Sequence, residues 1–380
     1  MDIGIPREIK DGEPRVGATP EAVRALVQGG HAVVVEAGAG ARIGFDDAAY
    51  RAAGARIASR PDEVYACALI VKVKELQPPE YPLARPGAVI CSYQQLGRDP
   101  RLLAAALASG ASFVAYEAVL DADGRRPLLS PMSILAGLLA PQVAAWCLQV
   151  RPGPLSGSGV LLFPLPGISR ASVVVVGEGV AGGTAASAFL DIGCEVTVLG
   201  KQAAALQALG ERLASRGRGK PRVAAATPEA LASATAGADV VVGAVSVPGR
   251  LAPKLITRSM LRAMRPGSVF IDVGIDMGGI AETSRQTSHS DPIYAEEGVL
   301  HYCVPNIPAL VPRTASEALV AATLPYLRRI ADQGLEGALG ADPGLLEGLQ
   351  VHGGHVVHRG LAADTGSPFA PFRGAPDRRG

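Results

Sequence analysis

The chain has 380 residues, 48% of them hydrophobic, with 36 basic and 35 acidic side chains and a net charge of +1. It is too long for one ordinary core, which predicts two domains of roughly 150 residues each. Balanced charge spread along the sequence excludes the electrostatic footprint of a nucleic-acid or anionic-membrane binder.

From the N-terminus, MDIGIPREIK lacks a basic-then-apolar leader, and no window reads as about 18 uncharged apolar residues. A soluble, cytoplasmic protein is the expectation. Thr19, Pro20 and Glu21 supply a capping hydroxyl, a pre-set φ and an early acid, predicting a helix over 20–29. Strand-like runs at 31–37, 67–74, 88–93 and 112–119 alternate with Ala/Leu-rich helical patterns, the rhythm of a parallel sheet covered by helices. A long helix is predicted from Pro131 to about Val150, and RPGPLSGSG then reads as a loop.

A second alternation starts at Ala171, with further strands at 195–200, 222–227, 239–245, 268–274 and 299–304. Six short strands at helix-length spacing describe a doubly wound nucleotide-binding sheet. A helix is predicted from Thr314 to about Ile330, and the chain turns Gly-rich from Asp332. The fold class is therefore α/β with two doubly wound domains. A Rossmann dinucleotide-binding domain is expected at 131–304, a flavodoxin/Rossmann-like substrate domain at 1–130 plus 305–370, and a disordered tail at 371–380. The five cysteines are widely spaced without CxxC or Cys/His metal spacing, so they predict buried thiols in a reducing compartment and no metal site.

Gly177, Gly179 and Gly182 form a GxGxxG directly after the strand VVVV and before a helical pattern. The first glycine permits a tight turn, the second lets backbone approach a pyrophosphate, the third lets helix and strand pack closely, and the helix start attracts phosphate. Gly177, Gly179, Val180, Ala181 and Gly182 are thus expected to bind a nicotinamide dinucleotide, NAD(P)H. An acid on the adenosine ribose should end the second strand. This strand ends Leu199-Gly200-Lys201 instead, so NADP suits Gly200 and Lys201 about as well as NAD.

On the substrate side, Arg15 lies in the first βα loop, Lys74 ends a strand run, and Gln94 and Gln95 end another. In one parallel sheet these four residues meet at the crevice where α/β proteins bind ligands. Arginine suits bidentate carboxylate binding, and a neighbouring lysine can hydrogen-bond or protonate a carbonyl oxygen or imine nitrogen. Of the two aspartates in FIDVGIDMGG, Asp272 falls inside an apolar run and reads as structural. Asp276, beyond the strand, is the candidate catalytic carboxylate. Asn306 follows the last strand, where the chain crosses back between domains.

The stretches GIPREIKDGEPRVGATP, IVKVKE, RPLLSPMSILAG, GEGVAGGTAA, AVSVPGRLAPKLI, GSVFIDVGIDMGGI and HYCVPNIPALVPRTAS resemble the alanine dehydrogenase family, which also includes the NAD(H)-binding domain of transhydrogenase. The resemblance covers the chain to about residue 365. It implies hydride exchange between a nicotinamide and the α-carbon of an amino or imino acid, and a homo-oligomer, dimeric or hexameric. By the same resemblance Arg15 holds the substrate carboxylate, Lys74 meets the substrate carbonyl, Asp276 is the active-site aspartate, Ser133 and Asn306 lie near the nicotinamide with Asn306 also binding substrate, and Val245 and Ser246 border the cofactor.

The departures from the family pattern are specific. Gln95 stands where the family carries a catalytic histidine, Ile134 and Leu138 replace charged side chains, and Gly200 replaces the acid. An amide can position a substrate but cannot shuttle a proton at neutral pH. These changes imply an altered substrate, larger or more apolar than alanine. An opine- or saccharopine-like reductive condensation, a transhydrogenase-like subunit and a non-catalytic dinucleotide sensor are the alternatives.

Overall fold

The computed structural model describes residues 1–217, 219–245 and 251–372, and the chain divides into one unit of 1–132 with 311–380 and another of 133–310. In the first unit β1 (Asp2–Ile5), α1 (Pro20–Gln28), β2 (Ala32–Glu36), α2 (Asp47–Ala52), β3 (Arg56–Ala58) and α3 (Pro61–Tyr65) lead to the centre of the sheet. There β4 (Leu69–Val71), β5 (Val89–Ser92), α4 (Pro100–Ser109) and β6 (Ser112–Ala115) continue it. Thr19 caps α1 as its sequence predicts, its hydroxyl accepting from the Ala22 amide at 3.3 Å.

The strand order β3-β2-β1-β4-β5-β6 is parallel throughout and reverses direction between β1 and β4. This is the Rossmann order rather than the flavodoxin one, and the reversal opens a crevice beyond the carboxyl ends of β1 and β4. Ile70, Ile90 and Phe113 are fully buried at the sheet centre, as expected for parallel strands covered on both faces.

The run at 67–74 forms a strand only over Leu69–Val71. Beyond it the Val73 and Lys74 amides donate to the Glu8 carboxylate at 2.6 and 3.3 Å, so the ladder toward β1 ends early. Lys74 consequently sits in the loop past the strand rather than on its last residue.

α5 (Ser130–Cys147) carries no charged residue, so by length and composition it is a helix that could cross a membrane, contrary to the expectation of none. Just over half of it, 56%, is buried inside the fold. Its exposed positions include Ile134, Leu138 and Trp146.

The second unit continues with β7 (Ser172–Val176), α6 (Val180–Asp191), β8 (Glu195–Gly200), α7 (Ala203–Ala214), β9 (Arg222–Ala225), α8 (Pro228–Ala236) and β10 (Val240–Gly243). It ends with α9 (Arg258–Arg262), β11 (Val269–Asp272), β12 (Ile293–Glu296) and β13 (Val299–Tyr302). The six expected strands pair in parallel as β9-β8-β7-β10-β11-β13. β12 is an unforeseen antiparallel edge strand, joined to β13 by Glu297 and Gly298 at φ 52° and 79°. Positive φ at both central residues matches the twist of a two-residue hairpin.

The C-terminal part departs from expectation. α10 (Pro312–Ala341) runs well past Ile330, interrupted at Gly334, whose φ of 71° and ψ of 168° are not helical. The Gly-rich composition hid the buried Ala338 and Leu339, which hold the second segment. α11 (Pro343–Gly348), β14 (Leu349–His352), β15 (His355–Val356) and α12 (Arg359–Thr365) follow, and β14 pairs antiparallel with β6. In the expected tail, the Phe372 ring packs edge-on to His352 at 5.1 Å, while 373–380 lie outside the described residues. The cysteines are free and buried, as expected.

Candidate active site and dinucleotide loop

In the first unit the β1 loop carries Arg15 into the fold, where it is 1% exposed. Glu13, two residues earlier, forks its guanidinium: Nε donates to Oε1 at 2.6 Å and Nη2 to Oε2 at 2.5 Å. Arg15 Nη1 also points at the Met132 sulfur, 3.0 Å away. Burial opposes both charges, but the hydrogen bonds and the charge of Arg15 more than offset it at Glu13, whose carboxyl is held below its usual range. Arg15 is a pre-oriented cation rather than a solvated one.

Two lysines follow β4 and have different surroundings. Lys72 is fully buried and neutralised, donating to Glu80 at 2.7 Å and Glu8 at 3.2 Å, with Tyr65 donating to the same Glu80 oxygen. Lys74 is 9% exposed. Desolvation, then the Arg15 and Lys10 charges, push its ammonium below the ordinary lysine range. Lys72 is thus paired within the core, whereas Lys74 is desolvated beside like charges.

Gln94 does not reach that crevice. It is fully buried, its amide Nε2 donates to Ile90 O at 3.1 Å, and its Oε1 has no partner among the described residues. Gln95 is only partly buried, with a left-handed φ of 50°, a conformation that is uncommon for a residue other than glycine. Glu117 clamps this turn: its carboxylate accepts from Gln94 N at 3.0 Å and from Gln95 N at 2.9 Å. Desolvation raises the Glu117 carboxyl above its usual range, against the opposing pull of those amides and of Lys74. Glu13 and Glu117 were missed in the sequence; only the adjacency of Glu13 to Arg15 gave any signal.

In the second unit the glycine loop has the shape a dinucleotide needs. Gly177 has φ 119°, and a Cβ on Gly182 would stand 1.9 Å from Gly177 O. At Gly179 a Cβ would meet nothing within 4 Å, so the backbone there is open to a pyrophosphate. Gly179 begins α6 without a side-chain cap, and Val180 is exposed at its first position. Ala181 and Gly182 follow in the first turn. A nicotinamide dinucleotide fits this cradle. Val245 lies just past β10, across the switch point from Gly177, whose Cβ would meet Ala244 O at 2.5 Å. Ser246 lies outside the described residues, which also omit 218 and 247–250.

The end of β8 departs most from expectation. Gly200 is buried, Lys201 is exposed, and a carboxylate is present there after all. Glu178, inside the glycine motif, accepts from Lys201 N at 3.2 Å and Gln202 N at 2.9 Å. No spacing rule pointed to it.

Asp272 is buried and accepts from Ile280 N at 2.9 Å and Ser284 Oγ at 2.6 Å. This agrees with a structural carboxylate. Asp276 is exposed in a short 3-10 turn, Ile275–Met277. Asn306 is partly buried with φ 57°, its carbonyl accepting from Ala309 N, and Ser133 is partly buried in the first turn of α5. Ile134 and Leu138 line an open groove of about 340 Å³ along the outer face of α6, with Val180, Ser187, Asp191 and Arg216. That groove extends to the far end of α6, so these residues lend no support to a larger substrate.

A Rossmann sheet with an intact glycine cradle, and a second Rossmann-ordered sheet presenting a buried arginine and a desolvated lysine at its switch point, define a nicotinamide-binding oxidoreductase architecture. Models of the alanine dehydrogenase/PNT N-terminal and C-terminal domains match residues 4–136 and 140–359. The chain belongs to this family. It is 44% identical over 370 residues to the alanine dehydrogenase of Halomonas elongata, covering 97% of this chain and 98% of that one. A solved L-alanine dehydrogenase superposes with a TM-score of 0.90 at 39% identity, covering 96% and 99% of the two chains. The transhydrogenase of Sinorhizobium meliloti gives 0.78 at 26% identity, covering 94% and 99%.

Proposed function

We propose that this protein is an amino-acid dehydrogenase that interconverts an amino acid with its 2-oxo acid and ammonia, using a nicotinamide dinucleotide. The observation that carries the reading is the contrast between Lys72, neutralised by two carboxylates, and Lys74, desolvated beside the Arg15 guanidinium. Bound nicotinamide would supply hydride exchange with the substrate α-carbon. Arg15 binds the substrate carboxylate, and its Glu13 clamp fixes the direction of approach. Lys74 hydrogen-bonds the 2-oxo oxygen and, with its lowered proton affinity, can give and take the proton there. Gln95 orients the substrate by hydrogen bonding. By family resemblance Asp276 is the active-site carboxylate, Asn306 serves both substrate and cofactor, and Ser133, Val245 and Ser246 are assigned to the cofactor side.

The test is turnover with 2-oxo acids and ammonia, followed by the absorbance of the reduced nicotinamide. No substrate exceeding a Lys74→Ala control would overturn the reading. Product mass separates it from an opine-like condensation, which would leave a secondary amine. The exposed α5 residues Ile134, Leu138 and Trp146 support self-association, to be checked by light scattering. Five buried thiols fit a reducing cytoplasm.

A further inference from the structure

The second strand of a dinucleotide-binding sheet ordinarily ends in an acid that hydrogen-bonds the adenosine ribose and repels a 2′-phosphate. Here that position is Gly200. A Cβ built on Gly200 would stand 2.3 Å from Glu178 Oε2 and 2.7 Å from its carboxyl carbon. The Glu178 carboxylate therefore occupies the space that a side chain at the end of β8 would fill. It is anchored there by the Lys201 and Gln202 amides, at 2.9 to 3.3 Å. The absent acid and the glycine are two halves of one change: Gly200 makes room for a carboxylate that arrives from the glycine loop.

We infer that Glu178 is the residue that selects the cofactor, taking the ribose hydroxyls of NAD(H) and disfavouring the 2′-phosphate of NADP(H). This deepens, and rests on, the reading of the chain as a nicotinamide-dependent dehydrogenase. A carboxylate has about four lone-pair sites. The backbone amides use Oε1 mainly, with one longer contact to Oε2. Oε2 keeps capacity for a ribose hydroxyl. Against a 2′-phosphate the same group presents like charge, which costs affinity even next to the exposed Lys201 ammonium. Lys201 alone would favour NADP, but it projects into solvent, where salt screens it.

The alternative role for Glu178 is a cap that only shapes the β8–α7 turn. Glu178→Gln separates the two, because an amide oxygen still accepts from both backbone N–H groups but carries no charge. The experiment is titration of the full chain with NADH and with NADPH, without substrate, following nicotinamide fluorescence, with thermal unfolding of each variant as a fold control. The wild type is expected to bind NADH at least tenfold more tightly than NADPH, and Glu178→Gln to narrow that ratio about tenfold at low salt. The double variant Glu178→Ala, Gly200→Asp should restore the preference, by returning the acid to the strand end.

A wild type that binds both cofactors equally, or an unchanged ratio in Glu178→Gln, overturns the inference while leaving the dehydrogenase reading intact. A wild type that binds neither dinucleotide overturns both.

Discussion

Glu13 and Arg15 form a buried, two-pronged ion pair inside one loop, with side chains 1% and 0% exposed. Removing one partner of such a pair leaves a desolvated charge, at a cost of about 3–5 kcal/mol. Glu13→Ala is therefore expected to lower unfolding stability on that scale in urea. Glu13→Gln keeps one acceptor and should fold better, yet raise KM for the 2-oxo acid more than it lowers kcat. If Glu13→Ala unfolds like the wild type, the pair is not the buried clamp described.

Lys74 gives a pH dependence of definite sign. Its folded pKa lies below the ordinary 10.5, so the folded state binds fewer protons than the unfolded chain between the two values. Stability therefore rises with pH through that window and is reduced below it, where the ammonium must be desolvated. Lys74→Met should thus be more stable than the wild type at pH 7, with the gap narrowing as pH approaches 10.5, and should be inactive. Parallel urea denaturation at pH 7 and pH 9.5 measures this. A less stable Lys74→Met at pH 7 would contradict the desolvation argument.

The succession of strands and helices and the glycine cradle were legible because each rests on local pattern: apolar runs at helix-length spacing and a strand-turn-helix glycine motif, whereas the choice of Rossmann over flavodoxin strand order is non-local and was left open. The positions of Lys74 and Gln94 were not legible either. Strand ends are set by which backbone amides find another partner, and Glu8, more than 60 residues away in sequence, takes those of Val73 and Lys74. Glu117 and Glu178 were hidden for the same reason. Each carboxylate acts on a backbone 22 to 24 residues distant, and no spacing rule encodes that. The C-terminal helix after Gly334 was lost because glycine composition outweighed two buried apolar residues in the reading.

Gln95 offers a stability–activity contrast. A left-handed φ of 50° on a non-glycine residue is strained, and glycine relieves such strain by about 1 kcal/mol. Gln95→Gly should be more stable and less active, since the orienting amide is lost. Gln95→His places a titrating group on the same turn. General acid–base help is worth about 10² to 10⁴ in rate where fully realised, so a gain in kcat with a new pH-dependent limb near neutrality is expected. No gain in either rate or pH profile would mean that Lys74 already carries the proton.

Gly179 and Gly182 separate binding from folding. A methyl on Gly182 would press against Gly177 O at 1.9 Å, an overlap that backbone on both sides cannot absorb. Gly182→Ala should therefore destabilise the second unit and abolish dinucleotide binding together. A methyl on Gly179 meets nothing within 4 Å, so Gly179→Ala should melt within a degree or two of the wild type. It nevertheless intrudes where backbone must approach the pyrophosphate, and should weaken NADH binding at least tenfold by fluorescence titration. Unchanged affinity in Gly179→Ala would move the pyrophosphate away from this loop, and with it the Glu178 contact to the ribose.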